Sequence, residues 1–193
     1  MTGTRRSSSA VLVAALIAMA FEARAFANSG STNASALSTT SRRIVISLAD
    51  CRLALMEGTK VLRVFRTAVG APGSPSPVGT YTIVNRVLNP TYFAPGKVIP
   101  PGPANPLGTR WLGLSLDSYG IHGTNKPKSI GKAASHGCIR LRNDDMEELF
   151  RLVRPGDQVE IVSEFNDELT RIFSQNQTAL STAAVVRFKA ERD

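Results

Sequence analysis

The chain has 193 residues with a formal net charge of +8, 42% hydrophobic and 20% charged residues, two cysteines and two histidines. That length supports one domain with a real hydrophobic core and a tail, but two cysteines are too few for a disulfide-built scaffold. The positive residues are dispersed with no Lys/Arg block, so the charge reads as an excess on a soluble surface and no nucleic-acid partner is expected.

The N-terminus reads as a targeting segment. Arg5 and Arg6 precede an apolar run over 10–21, and Ala25-Phe26-Ala27 has the small-x-small pattern of a cleavage site. The run falls short of the ~20 apolar residues that span a bilayer, and no second long run follows. Residues 1–27 are therefore predicted to be a signal peptide, with an exported protein bearing a charge of +6 and no transmembrane segment after cleavage. An uncleaved amphipathic or anchoring N-terminus is the alternative, and the pattern does not choose between general secretory and twin-arginine export. Residues 28–42, rich in Ser, Thr, Asn and Ala, read as a flexible leader.

Order is predicted from residue 43. Residues 44–48, 53–56 and 61–65 read as a β-meander with a turn at 57–60. Residues 70–79, with three prolines and three glycines, form a loop, and 80–87 is the next strand. The Pro/Gly-rich stretch 89–108, with Tyr92 and Phe93 embedded, reads as a long loop of the kind that forms a lid or binding wall. Strands over 111–116 and 118–122 follow.

From Asn143 the period becomes helical: Asn143 is the expected N-cap, Asp144 and Asp145 suit the first turn, and Met146, Leu149, Phe150 and Val153 recur on one face. Pro155-Gly156 ends the helix, and 158–162 is a last strand. Phe165, Leu169, Ile172 and Phe173 mark an amphipathic helix within a C-terminal extension over 164–193. The sum is a mainly β fold with one helix beside the site and one near the end.

Chemistry concentrates in one place. Gly120-Ile121-His122-Gly123-Thr124 and Ser135-His136-Gly137-Cys138-Ile139-Arg140 hold both histidines and one of the two cysteines within 17 residues. A thiolate is the nucleophilic form of cysteine, and a neighbouring imidazole can take the proton and hold an ion pair that lowers the thiol pKa. Gly137 allows the turn presenting Cys138, and the backbone N–H groups around 137–138 are placed to face an oxyanion. Arg140, two residues on, has the fork for a carboxylate. A rival of equal physical standing is a metal site with His122, His136 and Cys138 as three zinc ligands. A Cys51–Cys138 disulfide would consume the nucleophile and is not expected.

Residues 43–163 resemble the catalytic domain of the L,D-transpeptidases, the YkuD-type family. The resemblance rests on His122-Gly123-Thr124, on Ser135-His136-Gly137-Cys138-Ile139-Arg140, and on Ser76-Pro77-x-Gly79 before a strand. Pro100-Pro101-Gly102-Pro103 and Asn105-Pro106-Leu107-Gly108 ahead of Trp111 add to it. It implies a YkuD-type β-sandwich or barrel-like fold. It also implies Cys138 as nucleophile and His122 as base, oriented by the carbonyl of Gly123, with His136, Gly137 and the Cys138 amide on the oxyanion side. Arg140 would contact a substrate carboxylate, Ser135 would support the turn or meet substrate, and Tyr92 and Trp111 would wall the groove.

The substrate so implied is the stem tetrapeptide of peptidoglycan. Cys138 would form a thioester with release of D-Ala, then pass the acyl group to an amine to give a 3→3 cross-link or to attach a wall protein. The resemblance implies no metal or organic cofactor, carbapenem acylation of the cysteine, and a location in the periplasm or cell wall. Water as acceptor would make the same site an L,D-carboxypeptidase, or a hydrolase that detaches a wall-linked protein.

Overall fold

In the computed structural model the described residues are 42–164 and 166–174, and the predicted signal peptide, most of the predicted leader and tail, and Phe165 lie outside them. The chain enters on the predicted meander: β1 (Arg42–Ser47), β2 (Arg52–Glu57) and β3 (Lys60–Arg66), antiparallel neighbours throughout. Short β4 (Val69–Gly70) precedes the loop at 71–78, and β5 (Gly79–Leu88) is the long strand expected there. The 89–108 stretch is not structureless, because β6 (Tyr92–Ala94) and β7 (Lys97–Ile99) pair as a two-stranded ribbon. Buried Asn105 binds this stretch together. Its side-chain N–H groups donate to the carbonyls of Pro90, Ile99 and Pro100, and its oxygen accepts from the Leu107 amide.

After β8 (Arg110–Leu114) and β9 (Gly120–His122), the chain passes a single 3₁₀ turn (Pro127–Ser129) to β10 (Ala133–Ser135) and β11 (Ile139–Arg140). Helix α1 (Asn143–Leu152) and β12 (Gln158–Val162) complete the predicted order. The eight-stranded sheet runs β11-β9-β8-β5-β12-β1-β2-β3. Two of its pairings, β1 with β12 and β11 with β9, are parallel and so join distant parts of the sequence.

The two ends of that order meet. Ala68, two residues beyond β3, exchanges both backbone hydrogen bonds with Arg140 of β11, at 2.8 and 2.9 Å. This bridge gives the sheet its barrel-like closure, and it falls at the proposed catalytic segment. Short β10 pairs with β4 just beside it.

The alternation of β1 and β2 explains their nearly unbroken apolar sequences. Ile44, Ile46, Leu53 and Leu55 join the main core with Ile83, Leu112, Ile121, Ile139 and the α1 residues Met146, Leu149 and Phe150. Val45, Ala54 and Met56 point the other way, against Leu169, Ile172 and Phe173 of a helical stretch at 167–174. Strands covered on both faces lose the polar alternation of a half-exposed sheet. The expected C-terminal helix is thus packed onto the sheet by three side chains, each of which gains about 1.5–3 kcal/mol by burial.

Candidate active site

The parallel pairing of β9 and β11 builds the site. Its register sets Ile121 beside Ile139 and His122 beside Arg140. Ile121 and Ile139 are fully buried in the core, so the period of two turns Gly120, His122, Cys138 and Arg140 to the opposite side. Sixteen residues apart in sequence, the imidazole and the thiol are brought onto one face.

The turn before β11 is held from both sides. Gly137 has φ +111°, a conformation that side-chain-bearing residues rarely adopt, and a Cβ there would stand 2.7 Å from Cε1 of Tyr119. The Gly137 amide donates to Ser135 Oγ at 3.0 Å, and the Ser135 hydroxyl donates to the Cys138 carbonyl. From the other side, buried Ser76 donates its hydroxyl to the Gly137 carbonyl at 2.8 Å and accepts from the Gly70 amide at 2.9 Å. The Ser76-Pro77 motif therefore serves as a buttress beneath the cysteine turn.

His122 is 4% exposed, its Nδ1 lies 2.6 Å from the Gly123 carbonyl oxygen, and its ring stacks on Trp111 with centroids 5.7 Å apart. A carbonyl can only accept, so Nδ1 carries the proton and Nε2 is left as a free base. Burial lowers the imidazole pKa to about 4, with Arg140 adding to the effect and the carbonyls of Gly123 and Leu107 opposing it. The ring is neutral at pH 7.

Cys138 is half-buried, and its thiol donates to the carbonyl of Ser118 at 3.7 Å. Burial raises its pKa, opposed by the Gly120 backbone N–H and by the Arg140 guanidinium. The lowered thiol pKa expected from an ion pair is thus not the resting condition. Desolvation outweighs the partners on both groups, and the site presents a neutral thiol and a neutral imidazole on one face. The structure also changes the expected oxyanion donors: the Gly137 N–H is engaged by Ser135, whereas the Cys138 amide has no acceptor among the described residues.

Arg140 Nη1 donates to the Ala134 carbonyl at 3.1 Å, which holds the guanidinium beside the thiol. Ser135 is 2% exposed with its hydroxyl engaged inside the turn, so it supports the turn and does not face substrate. Trp111 is half-buried and stacks on the His122 ring. The His136 side chain is exposed, and Tyr92 sits in the β6–β7 ribbon; neither joins the hydrogen bonds or ring contacts of the cluster. Among the described residues no three His, Cys, Asp or Glu side chains come close enough to share a metal ion, so the zinc set of His122, His136 and Cys138 is not assembled. Cys51 and Cys138 are both free.

Two contributors escaped the sequence reading. Tyr119 packs over Gly137, and Ser118, held at φ +67°, turns its carbonyl to the thiol. The positive φ of a non-glycine residue has no sequence signature here. Beyond Ala134, Lys126, Lys128 and Lys132 line an open cavity of about 590 Å³, a basic margin to the site.

A β scaffold that presents a half-buried thiol, a neutral imidazole with its free nitrogen, and an unoccupied backbone amide is equipped for acyl transfer through a cysteine. Residues 41–161 match the L,D-transpeptidase catalytic domain, YkuD, and the chain belongs to that family. It is 42% identical over 119 residues to the putative L,D-transpeptidase YkuD of Bacillus licheniformis, covering 62% of this chain and 64% of the relative. It is 37% identical over 137 residues to the probable L,D-transpeptidase YbiS of Escherichia coli, covering 63% of this chain and 44% of that protein. The matches thus span less than two thirds of either relative.

The fold is that of solved L,D-transpeptidases. One from Mycobacterium smegmatis superposes with a TM-score of 0.55 at 21% identity, covering 64% of this chain and 59% of that one. The Ldtfm-avibactam carbamoyl enzyme gives 0.56 at 23% identity, covering 65% and 50%.

Proposed function

We propose that the protein is an L,D-transpeptidase that acts on peptidoglycan stem tetrapeptides through a Cys138 thioester. The observation that carries this reading is the β9–β11 register, which sets a base with a free Nε2 and a thiol on the same face.

In this mechanism the Cys138 sulfur attacks the carbonyl carbon at the L-centre of the third stem residue while its proton passes to His122 Nε2. The thiol and imidazole are neutral at rest, so proton transfer accompanies attack. The Cys138 amide is the donor for the developing oxyanion. Collapse breaks the bond to D-Ala, whose amine leaves with the proton from His122, and the acyl group remains as a thioester. An acceptor amine then attacks the thioester, His122 takes its proton and returns it to the sulfur, and a 3→3 cross-link is released. A wall-protein amine is chemically equivalent as acceptor. Arg140 and the lysine-lined margin suit the carboxylates of the stem. Secretion by the predicted signal peptide would place the reaction in the periplasm or cell wall, and among the described residues no helix is long and apolar enough to cross a membrane.

The test is intact mass of the protein after incubation with a disaccharide tetrapeptide, with and without an acceptor stem, against Cys138→Ala. An adduct lacking D-Ala on the wild type only, converted by acceptor to a cross-linked dimer, is expected. Tripeptide release without dimer would make the enzyme a carboxypeptidase. No adduct and no D-Ala release from protein with a reduced Cys138 would overturn the assignment.

A further inference from the structure

Asn143 does not take the helix-capping place its sequence suggests. It has the composition of an N-cap, yet Arg142 occupies the cap position with no side-chain cap bond, and Asn143 is the first helical residue of α1. Its side chain turns away from the helix. The Asn143 Oδ1 accepts the Thr124 amide at 3.0 Å.

That oxygen is wedged between two loops. A Cβ on Gly123 would lie 2.2 Å from Asn143 Oδ1, and a Cβ on Gly108 would lie 2.1 Å from the same atom. Both positions must be glycine for the amide to enter, and Gly108 also has φ +66°. These loops supply the carbonyls that face the imidazole: Gly123 itself, and Leu107, immediately before Gly108. Leu107 is tied in turn to Asn105. Asn143 stands three residues after Arg140 in sequence, so one side chain links the strand of the nucleophile to both loops that hold the base.

We propose that Asn143 is a positioning residue that fixes the tautomer and orientation of His122 by clamping the 107–108 and 123–124 loops together. It touches neither thiol nor substrate. Without the clamp the Gly123 carbonyl loses its fixed direction, Nδ1 loses its dedicated acceptor, and the proton redistributes between the two ring nitrogens. Only the Nδ1–H form leaves Nε2 free to accept from the thiol. The proposal rests on the reading of His122 as the base.

The chain has only two histidines. Long-range ¹H–¹⁵N correlation of the ¹⁵N-labelled protein therefore resolves both rings, with His136→Gln as the assignment control. In the wild type His122 is expected as a single neutral Nδ1–H tautomer from pH 5.5 to 8. In Asn143→Ala mixed tautomers are expected, with kcat for D-Ala release down about 100-fold and KM within about twofold, as for a displaced catalytic group. Asn143→Asp keeps the acceptor oxygen and should restore the single tautomer; it also covers the case in which the alanine variant does not fold.

A wild-type Nε2–H tautomer would overturn the proposal, as would an Asn143→Ala protein that keeps both tautomer and kcat while losing only thermal stability. If the tautomer depends on Asn143 but no D-Ala is released even by the wild type, the transpeptidase reading fails and the positioning role stands.

Discussion

Gly137→Ala strikes the cysteine turn at its tightest point. Two costs add. At φ +111° a side chain is held in a sparsely populated region, which costs about 1–3 kcal/mol. The new Cβ would also stand 2.7 Å from Tyr119 Cε1, with the Pro75 carbonyl at 3.4 Å behind it, and overpacking of this kind costs about 1–3 kcal/mol. A loss of roughly 2–6 kcal/mol at about 2–4 °C per kcal/mol lowers the melting temperature by at least ~4 °C. Rotation of the 137–138 peptide to relieve the strain at positive φ moves the Cys138 amide. Loss of one oxyanion donor costs about 100- to 1,000-fold in kcat.

Gly156→Ala is the control. Gly156 also has positive φ, +93°, but a Cβ there meets nothing within 4 Å, and its amide bonds to Ile83 outside the cluster. It carries the backbone cost without the clash. Calorimetry and a D-Ala release assay are run on both variants in parallel. Gly137→Ala with wild-type kcat, or with a kcat loss no larger than that of Gly156→Ala, would refute the assignment of the turn as the oxyanion side.

The remaining predictions concern protons, the buttress and the C-terminal helix. His122 has a folded pKa of about 4 against an ordinary 6.5, so the unfolded chain takes up the proton first and stability falls as pH drops from 6.5 to 4. At about 1.36 kcal/mol per pH unit the loss approaches 2 kcal/mol by pH 5, and urea titrations should show this slope in the wild type and not in His122→Gln. Because burial raises the Cys138 thiol, alkylation by iodoacetamide in a Cys51→Ser background should keep rising above pH 8.5; a plateau near pH 7 would indicate a resting ion pair instead. Ser76→Ala strands the Gly70 amide and the Gly137 carbonyl, costing about 1–3 kcal/mol, with a larger fall in kcat than in 1/KM. Phe173→Ala should cost about 3–5 kcal/mol in chemical denaturation and leave the alkylation rate unchanged; equal stability would mean the 167–174 helix does not cover the sheet.

Much of this protein is determined locally. Short apolar runs define β1 and β2, and alternation with turn residues defines β3 and β5, because an apolar run, a pleat and a glycine turn are properties of a few neighbouring side chains. Helix α1 is likewise written in the spacing of Met146, Leu149 and Phe150, and the reactive groups in His122 and the Ser135–Arg140 block. Tertiary structure decided what depends on distant partners. The two-residue strands β4 and β11 exist only through backbone pairing across the sheet, and no local pattern is long enough to specify them.

The same holds for the electrostatics. An ion pair is the expectation for Cys and His met in sequence, but burial of each group in the folded chain removes the water that would stabilise the charges, so both rest neutral. Asn143 makes the point most sharply. Its residue type fits a helix cap, and only the meeting of Gly108, Gly123 and α1 in space gives its oxygen a different donor.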